Sequence, residues 1–157
     1  MAPINRSQAA ANEVSAIADN ILLYQKDNGG WPKNYDMQAI LSTEQRQAVE
    51  RSRGERNTTF DNGATHWHVQ FLAQAYGMAR DDRYREGCLR GIEFILATQY
   101  PNGGWPQFFP DTSGYRRYSR RCMEVLIATP MQCRSFDFLL ETLAVIVRAR
   151  LCVRETP

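Results

Sequence analysis

The chain lacks the features that mark membrane and nucleic-acid-binding proteins. It has no apolar run long enough to cross a bilayer, and its first residues, MAPINRSQAAANEV, contain no apolar segment of a secretory signal. Its net charge is only +2 over 157 residues. We therefore expect no membrane or nucleic-acid partner and no signal peptide in this chain. The length fits one globular domain.

The sequence also lacks the spacing of a cysteine or histidine metal site. Its cysteines are Cys88, Cys122, Cys133 and Cys152. They follow no metal-ligand pattern, and we favour buried free thiols over disulfides. His66 and His68 are two positions apart, so on a helix they point to different faces and form a poor zinc pair.

What the chain does contain is an internal repeat. The residues NGGWP at 28–32 recur 74 positions later, at 102–106. The register extends back into the apolar run before each copy, where Ile21, Leu22 and Gln25 match Ile95, Leu96 and Gln99. The glycines permit the positive φ of a helix terminus, and the proline disfavours helix at the tryptophan before it. The repeat predicts a helical array or toroid with each indole packed between helices.

Apolar residues at helical spacing predict helices at residues 8–25, 65–79 and 82–99, and a capping box predicts one between the first two, at residues 43–52. The second helix begins after Ser42, which pairs with Gln45 in a capping box. The last begins at an acidic pair, 81–82, which suits the positive end of the helix dipole. We therefore expect an all-α fold.

Asp61 and Asn62 precede the predicted helix 65–79 and allow two interpretations. Either side chain can cap the helix by accepting hydrogen bonds from its first N–H groups, which spacing alone favours. The same pair also offers hard oxygen ligands for Ca²⁺, or donors and acceptors for a sugar.

An extended aromatic segment, WPQFFP, occupies residues 105–110. The ring faces of Trp105 and its neighbours suit the apolar faces of pyranose sugars, so the segment is a candidate for lining a sugar-binding groove. It is equally suited to the core, which is the favoured interpretation.

These motifs together resemble the family 10 polysaccharide lyases, which are pectate lyases. The resemblance rests on NGGWPKN at 28–34, TFDNGAT at 59–65, the whole run 80–110 and the Gly114-Tyr115 that follows. It covers roughly residues 10–118. It implies an (α/α) toroid, incomplete here, over residues 1–118, an extracellular or periplasmic setting, and calcium-assisted cleavage of polygalacturonate. We also expect a monomer.

The resemblance implies β-elimination, in which a base removes the C5 proton of a galacturonate and the C4 oxygen leaves. It suggests Asp61 as the residue tied to Ca²⁺, and Asn62 and Arg117 as substrate-binding residues. Trp105 is a further substrate-binding candidate. The catalytic arginine of the family falls beyond the matching region, so the catalytic residue of this chain is unknown.

The match ends after Tyr118, and residues 119–157 form a divergent tail. Where the family has an aspartate near the calcium, this chain has Met123, whose thioether is a poor ligand for that ion. We hypothesise that the tail is out of frame, which the other reading frames of the gene would test. Apolar residues from Phe136 to Val147 follow a helical stripe. Two alternatives to the lyase stay open: a non-catalytic carbohydrate-binding remnant and a structural α-toroid module.

Overall fold

The protein is mostly helical. The computed structural model describes residues 6–61, 64–100 and 105–110. Its helices are α1 (Arg6–Tyr24), α2 (Thr43–Arg51), α3 (Ala64–Ala79) and α4 (Asp82–Ala97), and its strands are β1 (Thr58–Thr59) and β2 (Phe108–Phe109). The predicted helices are confirmed to within about two residues at each end. Among the described residues, no helix is both long and apolar enough to span a membrane.

Side chains define where the helices begin, as the sequence predicts. Ser42 Oγ accepts a hydrogen bond from the Gln45 N–H at 3.3 Å, and the Gln45 side chain accepts one from the Ser42 N–H at 2.8 Å. This reciprocal pair confirms the capping box of α2. Asp81 caps α4 by accepting from the Arg83 N–H at 2.9 Å.

The sequence repeat is also a repeat of contacts. The Trp31 indole N–H donates to the Ile21 carbonyl at 2.7 Å, and the Trp105 indole N–H donates to the Ile95 carbonyl at the same distance. Trp31 is 0% exposed and Trp105 is 6% exposed. Each tryptophan thus folds back onto the helix that precedes its turn and ties the loop to that helix.

The turn after α1 needs its glycine. Gly29 has a φ of +90°, and a Cβ there would lie 2.4 Å from the Arg90 carbonyl oxygen. A side chain would therefore be strained by the backbone conformation and would collide with α4. This positive φ confirms at Gly29 the role that the sequence assigns to the glycines of the turn.

The core lies where α1, α3 and α4 meet. The buried residues of α3 and α4 in this core include Val69, Leu72, Ala73, Tyr84, Cys88, Ile92 and Ile95. Gly91 lets these elements approach closely, since a Cβ there would lie 2.5 Å from Val69 Cγ2 and 2.8 Å from the Trp31 ring. Cys88 is the buried thiol that the sequence predicts, and burial raises its pKa to about 12.

A short antiparallel strand pair brings the aromatic segment beside the entry to α3. Thr58 pairs with Phe109 and Thr59 with Phe108. The Thr59 hydroxyl also donates to the Gln107 carbonyl at 2.6 Å. This pairing is not predicted by the sequence, because its partners are about 50 residues apart. Cys122, Cys133, Cys152 and the tail 119–157 lie outside the described residues.

Candidate functional site

A lysine and an aspartate meet just ahead of α3. Lys33 Nζ lies 2.6 Å from Asp61 Oδ2, and the two side chains are 31% and 13% exposed. Lys33 Nζ also lies 4.8 Å from the centre of the Phe108 ring, within the range of a cation–π contact. We call these residues, Lys33, Asp61 and Phe108, the lysine–aspartate cluster.

Hydrogen bonds that involve backbone groups hold the members of this cluster in place. The Thr59 N–H donates to the Trp31 carbonyl at 3.0 Å, which joins the turn carrying Lys33 to the strand before Asp61. The Asp61 N–H donates to Thr59 Oγ1 at 2.9 Å. The Thr65 hydroxyl, in the first turn of α3, donates to the Thr59 carbonyl at 2.8 Å. The cluster is therefore built on segments anchored to the core.

The arrangement suits an acidic carbohydrate. An ammonium group has three donors, so Lys33 can hold Asp61 and still donate to a further oxygen. Phe108 is half-buried and presents a ring next to that ammonium group. A cationic donor, a carboxylate and an aromatic ring within a few ångströms can recognise the charge, the hydroxyls and the apolar face of a uronate sugar.

The residues predicted from the sequence do not all meet here. Asp61 is in the cluster, whereas Trp105 is in the core with its indole N–H bonded to Ile95. That packing favours the core interpretation of Trp105 over the sugar-binding one. Asn62 and Arg117 lie outside the described residues.

Lys33 is the functional candidate that the sequence reading missed. It lies inside the repeated turn, in the motif NGGWPKN, but its partner Asp61 is 28 residues away. A signal was present, since the second copy of the repeat has Gln107 at the equivalent position. A charge found in only one of two matching turns points to a role other than holding the turn.

The described residues do not by themselves form a calcium site. Within residues 6–61, 64–100 and 105–110, no three His, Cys, Asp or Glu side chains lie together as metal ligands. Calcium takes roughly six to eight oxygens, and Asp61 offers one carboxylate, of which Oδ2 is already bound by Lys33. The calcium ligand predicted at Asp61 therefore stays a prediction.

A row of stacked rings joins Trp31 of the core to half-buried tyrosines packed against it. His68 stacks with Trp31 at 5.3 Å and with Tyr35 at 5.4 Å between ring centres, and Tyr35 stacks with Tyr24 at 3.8 Å. Burial lowers the pKa of His68 to about 4 and raises the pKa of Tyr35. His68 therefore stays neutral at physiological pH, with Nδ1 3.0 Å from the Ala64 carbonyl oxygen.

The free energy of unfolding is expected to fall as the pH drops from about 6.5 to about 4. His68 is protonated near pH 6.5 in the unfolded chain, whereas in the folded protein its lowered pKa delays protonation to about pH 4. The stabilising contribution is thus complete above pH 6.5, and its loss approaches about 3 kcal/mol near pH 4. Urea titrations across this range would measure the loss.

His68→Gln removes the titrating group and should flatten this acid dependence. His66→Gln is the matched control: His66 is half-buried, its pKa is also lowered by burial, and removing it should change the slope less. An equal loss of stability in wild type and in His68→Gln would contradict the assignment to His68.

The chain matches the profile of a known protein family. The profile of the Pectic acid lyase family matches residues 25–123. The solved structure of a family 10 polysaccharide lyase from Cellvibrio cellulosa is 32% identical, with a TM-score of 0.52, and the match covers 73% of this chain and 35% of that one. An aspartate-to-alanine mutant of the Cellvibrio cellulosa lyase, in complex with trigalacturonic acid, is also 32% identical, with a TM-score of 0.53.

That second match covers 70% of this chain and 33% of the mutant. The chain therefore spans about a third of the length of the solved lyases that it matches. No curated protein matches the chain.

Proposed function

Since the chain belongs to the pectic acid lyase family, we propose that it acts in the eliminative cleavage of polygalacturonate. The observation that carries this proposal is the lysine–aspartate cluster, with Lys33 Nζ 2.6 Å from Asp61 Oδ2 and beside Phe108. The cluster lies inside the region that matches the family.

The chemistry of the substrate supports this assignment. Polygalacturonate carries a carboxylate on every sugar, and Lys33 has donors left for such a group after it binds Asp61. The partial burial of both side chains strengthens a charge interaction there relative to one at an open surface. The bound trigalacturonic acid in a related lyase is consistent with this substrate class.

The proposed reaction breaks a C–H and a C–O bond on one sugar. A base takes the proton from C5, the electrons form the C4–C5 double bond, and the glycosidic oxygen at C4 leaves. The C5 proton becomes more acidic when its carboxylate can accept negative charge, so a cation held near that carboxylate lowers the barrier. In this proposal Lys33 binds and orients a substrate carboxylate, and Asp61 holds the ammonium group in position. No described residue is assigned as the base.

Calcium participation at Asp61 is a separate part of the proposal. The described residues fit only one ligand of such a site, so we route no step through the ion. We also propose that the helices belong to an (α/α) toroid, which the repeated contacts of Trp31 and Trp105 support.

The test is a lyase assay on polygalacturonate, in which the ultraviolet absorbance of the 4,5-unsaturated product is measured. The assay is run once with added calcium and once with a chelator. Product that appears only with calcium would support both parts of the proposal, and product that is insensitive to chelator would overturn the calcium part. We expect the rate to rise toward alkaline pH, because the base must be deprotonated.

Binding without product at any pH would overturn the lyase proposal for this chain and favour a carbohydrate-binding protein. Neither binding nor product would overturn the assignment of polygalacturonate as its substrate.

A further inference from the structure

A cleft of about 380 Å³ is lined by four arginines and four other residues. Arg46 reaches it from α2, Arg53 from the loop after α2, and Arg83 and Arg90 from α4. None of these residues belongs to the lysine–aspartate cluster. Leu22 and Leu23 of α1 supply apolar surface to the same cleft.

The carboxylates in this cleft do not balance its positive charge. Asp19 and Glu86 also line it and Asp81 pairs with Arg83, so four guanidinium groups face three carboxylates, a formal excess of one positive charge. Asp19 forms an ion pair with Arg83 at 3.3 Å, and Arg83 forms a second ion pair with Asp81 at 2.7 Å. The remaining arginines therefore carry most of the uncompensated charge.

These remaining arginines differ in how they are held. Arg90 donates to the Gln25 side-chain oxygen, a neutral acceptor that fixes its position and leaves its charge in place. Among the described residues, neither Arg46 nor Arg53 forms an ion pair. The Nε of Arg53 is buried, and it has no hydrogen-bond partner among the described residues.

An oxyanion in the cleft would accept hydrogen bonds from the guanidinium groups that line it and would offset the excess charge. The planar guanidinium group presents its N–H groups in a fork that matches two oxygens of a carboxylate or a phosphate. The cleft therefore has the charge, the donors and the volume for a small anionic group.

We propose that this arginine cleft binds an oxyanion, either a uronate carboxylate or a phosphate group, at a site separate from the lysine–aspartate cluster. Arg53 and Arg46 are its principal ligands, and Arg90 is the positioned third cation. The proposal does not depend on the lyase reaction, because none of the residues that line the cleft belongs to the lysine–aspartate cluster.

The test is calorimetric titration of the full chain with galacturonate and, separately, with inorganic phosphate. Saturable binding of either anion is the expected result, and the anion that binds identifies the source. Arg53→Gln and Arg46→Gln should each weaken that binding about tenfold or more, since each removes charged hydrogen bonds. The anion affinity of Arg53→Lys should lie between those of wild type and Arg53→Gln, because lysine keeps the charge but lacks the planar fork of N–H donors.

Arg85→Gln is the matched control, because it removes the same charge from α4 at a position that does not line the cleft. It should bind the anion as wild type does, and Arg53→Gln should still weaken binding when it is combined with Lys33→Gln, which separates this site from the proposed lyase site. Circular dichroism would confirm that each variant is folded. Absence of saturable binding of both anions, or equal losses in Arg53→Gln and Arg85→Gln, would overturn the proposal.

Discussion

Replacing Trp31 with alanine is expected to lower the free energy of unfolding by about 3–5 kcal/mol. The indole is fully buried, packs against His68 and Gly91, and donates its N–H to the Ile21 carbonyl at 2.7 Å. Alanine would leave a cavity at the junction of α1, α3 and α4 and release the turn that carries Lys33. Equilibrium denaturation in urea would measure the change.

Trp67→Ala is the matched control for that variant. Trp67 lies on α3 and is 67% exposed, so its loss should change the stability by less than about 0.5 kcal/mol. Comparable losses in the two variants would show that the indole of Trp31 does not have the structural role assigned here.

Trp31→Phe separates the packing of the ring from its hydrogen bond. It keeps an aromatic ring in the core but leaves the Ile21 carbonyl without its donor, at a cost of about 1–3 kcal/mol plus a smaller cavity. This variant also provides a measurable result if Trp31→Ala is too unstable to purify.

Removing the charge of Lys33 is expected to weaken binding of trigalacturonate by about tenfold or more. Lys33→Gln would remove a cation proposed to bind a substrate carboxylate and would break its ion pair with Asp61, which is only 13% exposed. Lys33→Arg keeps the charge and should retain part of the affinity. Titration of each variant with trigalacturonate, in the presence of calcium, would give the dissociation constants.

A double-mutant cycle with Asp61→Asn would test whether the two residues act together. Because they are in direct contact, the combined effect should differ from the sum of the single effects by about 0.5–3 kcal/mol. Arg85→Gln controls for the change in net charge. Wild-type affinity in Lys33→Gln would contradict the role proposed for the cluster.

The helices could be predicted because they depend on neighbouring residues. Ser42 and Gln45 are three positions apart, and their capping box forms as the spacing predicts. The apolar stripes of α3 and α4 likewise become their buried faces. The glycine at 29 adopts the positive φ expected of a helix terminus. Each of these features is decided within one or two helical turns.

The site was only partly predictable, because its members come from distant segments. Asp61 stood out from its place before a helix, but the sequence could not choose between a cap and a ligand. Lys33 does not precede a helix as Asp61 does. Its contact with Asp61 spans 28 residues, which a local pattern cannot indicate. Phe108 reaches the pair only because β2 lies antiparallel to β1.

The sequence by itself determined the family, the helices and the repeated tryptophan turn. The tertiary structure decided what each turn does. Trp31 and Trp105 both satisfy the carbonyl ten residues back in the preceding helix, and Trp105 lies in the core and not on an open groove. The tertiary structure also brings Lys33 into contact with Asp61 and places four arginines around one cleft. Local patterns specify elements, whereas long-range packing specifies which side chains meet.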